Sequence, residues 1–264
     1  MITSRKNPIV QRARAAREGR AGDLAFVEGV RLCEEAARSR LHVEEVLFTE
    51  RVASDQRAAP LLEGLRRNGA RLALVTEGVI ESVADTRTTQ GIILLARRPP
   101  CDRATFEGAL GDAPLLVTLH GVNNPSNAGA MLRAAEAAGA AGVIATAGTT
   151  DLLSPKALRS AMGSSFRLPL WAGAALGEVA AWCREREINL VATDTGATVS
   201  HTEIDWRGAH AVLCGAEGGG LCAREVEVAD VRIKIPMRAP VESLNVAVAL
   251  GVVLYEAARQ RGFP

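Results

Sequence analysis

Short apolar runs alternate along most of the chain with stretches whose apolar residues recur every three or four positions. Runs rich in Val, Ile, Leu and Phe at 24–28, 43–49, 71–76 and 91–96 have the length and composition of strands. Between them, 30–39 and 55–68 carry helical spacing, and a helix over 7–20 precedes them all. Strand, helix, strand, helix is the pattern of an α/β layer. The segment 97–112 interrupts it with Pro99, Pro100, Gly108 and Gly111 and no sustained period, so it reads as a linker. Alternation then resumes, with strands at 115–120, 142–146, 189–193, 211–214 and 231–235 and helices at 128–138, 155–162 and 175–187. A closing helix from Ser243 is apolar at nearly every position between Leu244 and Tyr255. Such a helix cannot keep one face in water, so it is expected to be buried on all sides, one of them by a second copy of the chain. The pattern predicts two α/β domains, 1–108 and 109–264.

Composition adds limits. With 264 residues, 48% apolar and 23% charged, the chain can bury a sizeable core. No apolar run reaches the roughly 18 to 20 residues of a membrane span. The basic N-terminus has no apolar stretch behind it, so it is not a secretory signal. These features predict a soluble, cytoplasmic protein. Five scattered cysteines, without a C-x-x-C pair or a histidine at ligand spacing, predict neither a metal site nor a disulfide framework. Net charge is only +1, but residues 1–20 hold six basic side chains against Glu18 alone. A basic arm suits phosphate contacts, although a solvated helix face would look the same.

Three segments stand out, each after a predicted strand, where open α/β sheets place their ligands. In the first, 125–133, Asn127 is placed to cap the following helix, Gly129 to allow close backbone approach, and Arg133 to lie about a turn in. In the second, 215–221, Glu217 is followed by three glycines, a stretch that suits bare backbone under a ligand. It is not a phosphate-cradling loop, because no G-K-[ST] follows. The third, 235–246, has Ser243 as a natural N-cap and Asn245 at the head of an otherwise apolar helix, where a buried amide needs partners. Taken singly, a capped helix, a solvated carboxylate and a second cap account for each.

In order, however, the three resemble the signature motifs of the SpoU (TrmH-type) 2′-O-ribose methyltransferases: N-x-G-x-x-x-R, then G-x-E-G-x-G, then I-P-M followed by S-L-N-V. Asn127, Gly129 and Arg133 match the first; Gly215, Glu217, Gly218 and Gly220 the second; Ile235, Pro236, Met237 and Ser243 to Val246 the third. One departure is Ala239, where many members carry Gly; a loop needing positive φ there would be strained. More loosely, 4–8 and 26–31 resemble the family's N-terminal substrate-binding extension. The resemblance implies a parallel α/β sheet with a C-terminal trefoil knot, preceded by a small α/β RNA-binding domain. It also implies a homodimer and transfer of a methyl group from S-adenosylmethionine to a ribose 2′-hydroxyl of RNA, foremost 23S rRNA. By motif position, Arg133, Asn127, Glu217, Ser243 and Asn245 become the catalytic candidates. Gly215, Gly220, Ile235, Met237 and Leu244 become the donor-binding candidates. A tRNA 2′-O-methyltransferase, an antibiotic self-resistance rRNA methyltransferase and a non-catalytic RNA-binding protein of the same fold remain open at this point.

Overall fold

The computed structural model describes residues 1–39 and 41–263; Arg40 and Pro264, which fall within the expected first and second domains, lie outside the described residues. The chain forms two compact units. The first comprises Met1–Pro99 together with Leu153–Arg167, and the second Pro100–Leu152 together with Leu168–Pro264.

The first unit begins with α1 (Pro8–Arg17), β1 (Leu24–Glu28), α2 (Val30–Arg38), β2 (Val43–Phe48), α3 (Glu50–Ala53), α4 (Ala59–Arg67), β3 (Arg71–Leu74), α5 (Glu77–Glu81) and β4 (Ile92–Arg97). The second opens with α6 (Arg103–Glu107), β5 (Leu115–Leu119), α7 (Pro125–Ala137) and β6 (Gly142–Thr146). The chain then gives α8 (Pro155–Ala161) and α9 (Ser164–Arg167) to the first unit. It closes the second with β7 (Leu170–Ala174), α10 (Leu176–Glu185), β8 (Asn189–Thr193), β9 (Val199–Ser200), β10 (His210–Cys214), α11 (Ala223–Val226), β11 (Val231–Lys234) and α12 (Val246–Arg261).

In the first unit four strands lie in the order β1-β4-β2-β3, with β4 antiparallel to both neighbours. Ile92 to Ala96 are wholly buried, as befits a central strand. Asn7 caps α1 by accepting from the Ile9 N–H, Pro8 occupies its first turn, and Ile9, Val10, Ala13 and Ala16 face the sheet. Helix α8 buries Ala157, Leu158 and Ala161 and packs on β1. Ion pairs hold the segment as well, Arg159 to Asp85 at 2.7 Å and Arg167 to Glu35 at 2.5 Å.

The second unit is a seven-stranded parallel sheet in the order β7-β6-β5-β10-β8-β11-β9. Every residue of β5, β6 and β10 is buried, the continuous apolar reading of strands covered on both faces. Because all strands run one way, the segments after β5, β10 and β11 emerge at a single end of the sheet.

Several expectations need correction. The segment 97–112 is not featureless: it contains α6, whose Phe106 is fully buried 6.1 Å from the Trp171 ring and 5.9 Å from the Trp182 ring. A one-turn helix held by a single aromatic is too short to show a period. Strand β7 was not expected, because two of its five residues are exposed. Helix α7 starts at Pro125, three residues before the expected start, with Asn124 rather than Asn127 as its cap. Helix α12 starts at Val246 with Asn245 as its cap, so Ser243 and Leu244 precede it. Nor is α12 buried all round: Leu250, Val253, Leu254, Ala257 and Ala258 face inward and it packs on α7, while Val248 and Tyr255 stay 54% and 49% exposed. Ala239 does not adopt a positive φ, so the departure from Gly there carries no strain.

Candidate functional site at the ends of β5, β10 and β11

Asn127 is the centre of this end of the sheet. It is the third residue of α7, and its side chain bonds to both of the other segments. Its Nδ2 donates to Glu217 Oε1 at 3.0 Å, and its Oδ1 accepts from Asn245 Nδ2 at 3.2 Å. Glu217 also accepts from the Asn123 and Asn124 backbone N–H groups at 3.1 and 3.3 Å. Asn245 Oδ1 in turn accepts from Ala247 and Val248 N–H and so caps α12. The direction of this chain follows from one group. A carboxylate only accepts, so Asn127 must turn its NH2 toward Glu217; its carbonyl then faces the Asn245 NH2, and the Asn245 carbonyl faces the helix. Partial burial pushes the Glu217 carboxyl up, but the Asn127 amide and the backbone donors outweigh burial and hold it below the usual carboxylate range.

Gly215 is required by close approach. A Cβ there would lie 2.5 Å from the carbonyl of Gly220 and 2.7 Å from the Leu221 nitrogen, because the glycine segment folds back on itself through an Ala216–Gly220 bridge. Gly220 itself takes φ +61. Ile235 and Met237 are half-buried just past β11, and Leu244 is 38% exposed beside Asn245. These apolar side chains and bare glycine backbone lie in two of the three segments that the amide chain ties together, 215–221 and 235–246.

Two candidates stand apart from that chain. Arg133 is exposed on α7 eight residues beyond Pro125, more than two turns and about 12 Å along the axis, not one turn as expected. Its guanidinium has no hydrogen bond or ion pair among the described residues. Ser243 is likewise exposed and does not cap α12.

The structure adds residues that the pattern did not single out. His120, just past β5, sets Nδ1 2.8 Å from Thr146 Oγ1 and Nε2 3.0 Å from Glu225 Oε1. Facing a carboxylate, Nε2 carries the proton. Glu225 also accepts from the Cys222 N–H at 2.7 Å, and its carboxyl is held low first by that bond and then by His120. The glycine segment is therefore tethered on both sides, by Glu217 and by Glu225. The pair Asn124-Pro125, a helix cap followed by the favoured first-turn residue, was the available signal for the start of α7. The spacing Cys222 to Glu225 is that of a capping box, hidden because Cys stands where Ser or Thr is usual.

Comparison with known proteins gives a consistent answer. The model of the SpoU rRNA methylase family matches residues 114–255, and that of the RNA 2′-O ribose methyltransferase substrate-binding domain matches 26–100. A 23S rRNA (guanosine-2′-O-)-methyltransferase of Vibrio vulnificus is 35% identical over 89% of this chain and 97% of its own. An uncharacterised tRNA/rRNA methyltransferase of Synechocystis is 34% identical over 98% and 94%. Among solved structures, the SpoU methyltransferase AviRb of Streptomyces viridochromogenes, in complex with AdoMet, superposes with TM-score 0.87 at 26% identity, covering 97% of this chain and 98% of that one.

Proposed function

We propose that this chain, which belongs to the SpoU rRNA methylase family and is an S-adenosylmethionine-dependent RNA 2′-O-ribose methyltransferase, modifies a guanosine ribose of 23S rRNA. The observation that carries the reading is the Asn127 amide, which joins all three strand-end segments in one hydrogen-bonded chain.

The donor site suits its ligand in chemistry. Ile235, Met237 and Leu244 offer apolar surface that the chain leaves partly uncovered, and Gly220 leaves exposed backbone free of a side chain, while the buried Gly215 lets that backbone fold close. An adenosine has apolar faces and polar edges, which such a lining can clasp. When bound, S-adenosylmethionine supplies a methyl group already activated on a sulfonium, so the protein has to align the acceptor and manage one proton. Glu217 and Asn127 hold the segments in place, and Asn245 fixes the head of α12. Arg133 has only donors to offer, in a planar fork, so its role is to orient the ribose hydroxyl and a neighbouring phosphate. Gly220, Ile235, Met237 and Leu244 would hold the donor so that its methyl group passes to the hydroxyl oxygen, with S-adenosylhomocysteine as the leaving group and the hydroxyl proton passing to solvent. Ser243 borders this site.

The wider architecture belongs to the same reading. RNA binding is assigned to the first unit, donor binding to the second. The trefoil knot is supported by the course of the chain, because β11 lies two strands away from β10 yet α12 returns to pack on α7. A homodimer through α12 is supported by Val248, Val252 and Tyr255, exposed at the spacing of one helical stripe. No described helix is long and apolar enough to cross a membrane; the cytoplasmic site is assigned from the rRNA substrate.

The test is transfer of labelled methyl from S-adenosylmethionine to deproteinised 23S rRNA and to tRNA, with mapping of the modified nucleotide. A 2′-O-methylated guanosine in 23S rRNA is the expected product. Label in tRNA alone would overturn the substrate, and no transfer to any RNA would overturn catalysis.

A further inference from the structure

Basic side chains of the first unit differ in whether an acid already holds them. Strands β1, β2 and β3 run one way and β4 the other, so the segments after β1, β2 and β3 and the one before β4 meet at one end of the sheet. They are stitched together there. The Val30 N–H donates to Gln90 Oε1 at 2.7 Å, the Thr49 N–H to the Gly91 carbonyl at 3.0 Å, and Arg51 Nη2 to the Thr89 carbonyl at 3.2 Å. Gly91 has φ +82, and a Cβ there would come within 2.7 Å of Thr49 Oγ1. Ile2 pairs in parallel with Val75, so residues 3–6 continue past the same end. This rim carries Arg5, Lys6, Arg31, Arg51 and Arg87, all exposed. Among them Arg51 alone has an ion pair among the described residues, a 3.5 Å contact with Glu77.

The opposite end differs. Arg97 pairs with Glu44 at 2.7 Å and with Asp23 at 3.5 Å, Arg12 pairs with Glu44 at 2.7 Å, and Arg20 pairs with Glu18. Arg71 is the exposed cation there without an ion pair among the described residues. The basic arm anticipated at 1–20 is thus divided: Arg12, Arg17 and Arg20 are committed to acids, Arg5 and Lys6 are not.

We infer that this rim, Arg5, Lys6, Arg31, Arg51 and Arg87, seats the phosphodiester backbone of the substrate RNA. The inference rests on the assignment of RNA binding to the first unit and deepens it to one end of one sheet. A cation already held by a carboxylate must break that pair to meet a phosphate; four of these five need not. Each phosphate they meet releases a condensed counterion, and arginine's planar fork matches two phosphate oxygens at once. The stitched loops fix the spacing of the charges before RNA arrives, which lowers the ordering cost of binding. Of the described phenylalanines of this unit, Phe26 is buried and Phe48 and Phe166 are half-buried, so no fully open Phe, Trp or Tyr ring for stacking bases lies beside the charges. The rim therefore reads the course of the backbone, not the identity of bases.

The test uses the full chain and deproteinised 23S rRNA as probe, with filter binding from 50 to 300 mM salt. Arg31→Gln/Arg87→Gln and Arg5→Gln/Lys6→Gln are compared with Arg71→Gln at the other end of the sheet and with Arg238→Gln, an exposed cation of the second unit. Each rim pair should lower the slope of log K against log salt by about 1.4 to 1.8, two phosphate contacts' worth, with donor affinity and thermal midpoint unchanged. Arg71→Gln and Arg238→Gln should leave the slope as in the parent. If Arg71→Gln takes the loss while both rim pairs do not, the rim is wrong and the first unit still binds RNA. If every first-unit variant binds like the parent and only Arg238→Gln loses slope, the assignment of RNA binding to that unit fails as well.

Discussion

Asn127 holds two partners with one carboxamide, and one of them is a carboxylate. Hydrogen bonds to charged groups contribute about 1.5–3 kcal/mol, so Asn127→Ala should weaken donor binding about tenfold to a hundredfold. Titration calorimetry with S-adenosylmethionine measures this; an unchanged affinity would show that the amide chain does not shape the pocket. The pH dependence has a defined sign. Because the Glu217 carboxyl is held below its usual value of 4.5, its contribution is fully present above 4.5 and is lost as pH falls through the lower folded value. Donor affinity should therefore not change through this group between pH 5 and 8, and should fall only in more acid solution. Glu217→Gln, which cannot lose a charge, should abolish that acid limb. Arg133 is a different case, because its side chain is uncommitted. Arg133→Lys keeps the charge and loses the fork, and misplacing a hydroxyl costs on the order of 100-fold in rate. Single-turnover methylation across pH 7 to 10 should show a deficit that persists, with donor affinity intact. A Lys variant whose rate recovers as pH rises would assign Arg133 the role of base instead.

Helix α12 presents the clearest consequence of element-scale patterning. Its sequence is apolar on nearly every side, yet only the face on α7 is buried within the chain. Val248→Arg with Val252→Arg should place charge in the exposed stripe and convert a dimer to a 27.8 kDa monomer in sedimentation at micromolar concentration. A parent that is already monomeric would remove α12 from any interface. The strands β1, β6 and β8 were legible to the residue because each has a buried apolar run of three or four residues bounded by a polar residue or glycine, such as Glu28 in β1 and Asn189 in β8. Helices of four or five residues, such as α6 and α11, escaped because they complete barely one turn and are held by Phe106 or by a cysteine-headed capping box. At the site, the three motifs named Asn127, Glu217 and Asn245, but only coordinates showed that one amide links them. His120 and Glu225 lie 105 positions apart, and no local pattern couples such a pair.

For the molecule as a whole, α/β alternation on either side of the segment 97–112 was legible, and the grouping of 153–167 with the first unit was not. Those residues are flanked on both sides by the second unit, and their apolar spacing is that of any helix; what binds them to the first unit is the packing of α8 on β1 and the pairs Arg159–Asp85 and Arg167–Glu35. A fragment comprising 109–264 alone would leave Ala157, Leu158 and Ala161 without that cover. It should melt well below the full chain by differential scanning calorimetry and bind a dye for exposed apolar surface, and a fragment as stable as the parent would show that α8 finds other cover. The same feature bears on how such chains can be remade by recombination. Exchange of the gene segment for residues 1–99 with that of a relative would bring a new β1 against an α8 shaped for the old one. A new first unit can then be inherited only when two separated stretches of the gene change together, or when the second later adapts to the first.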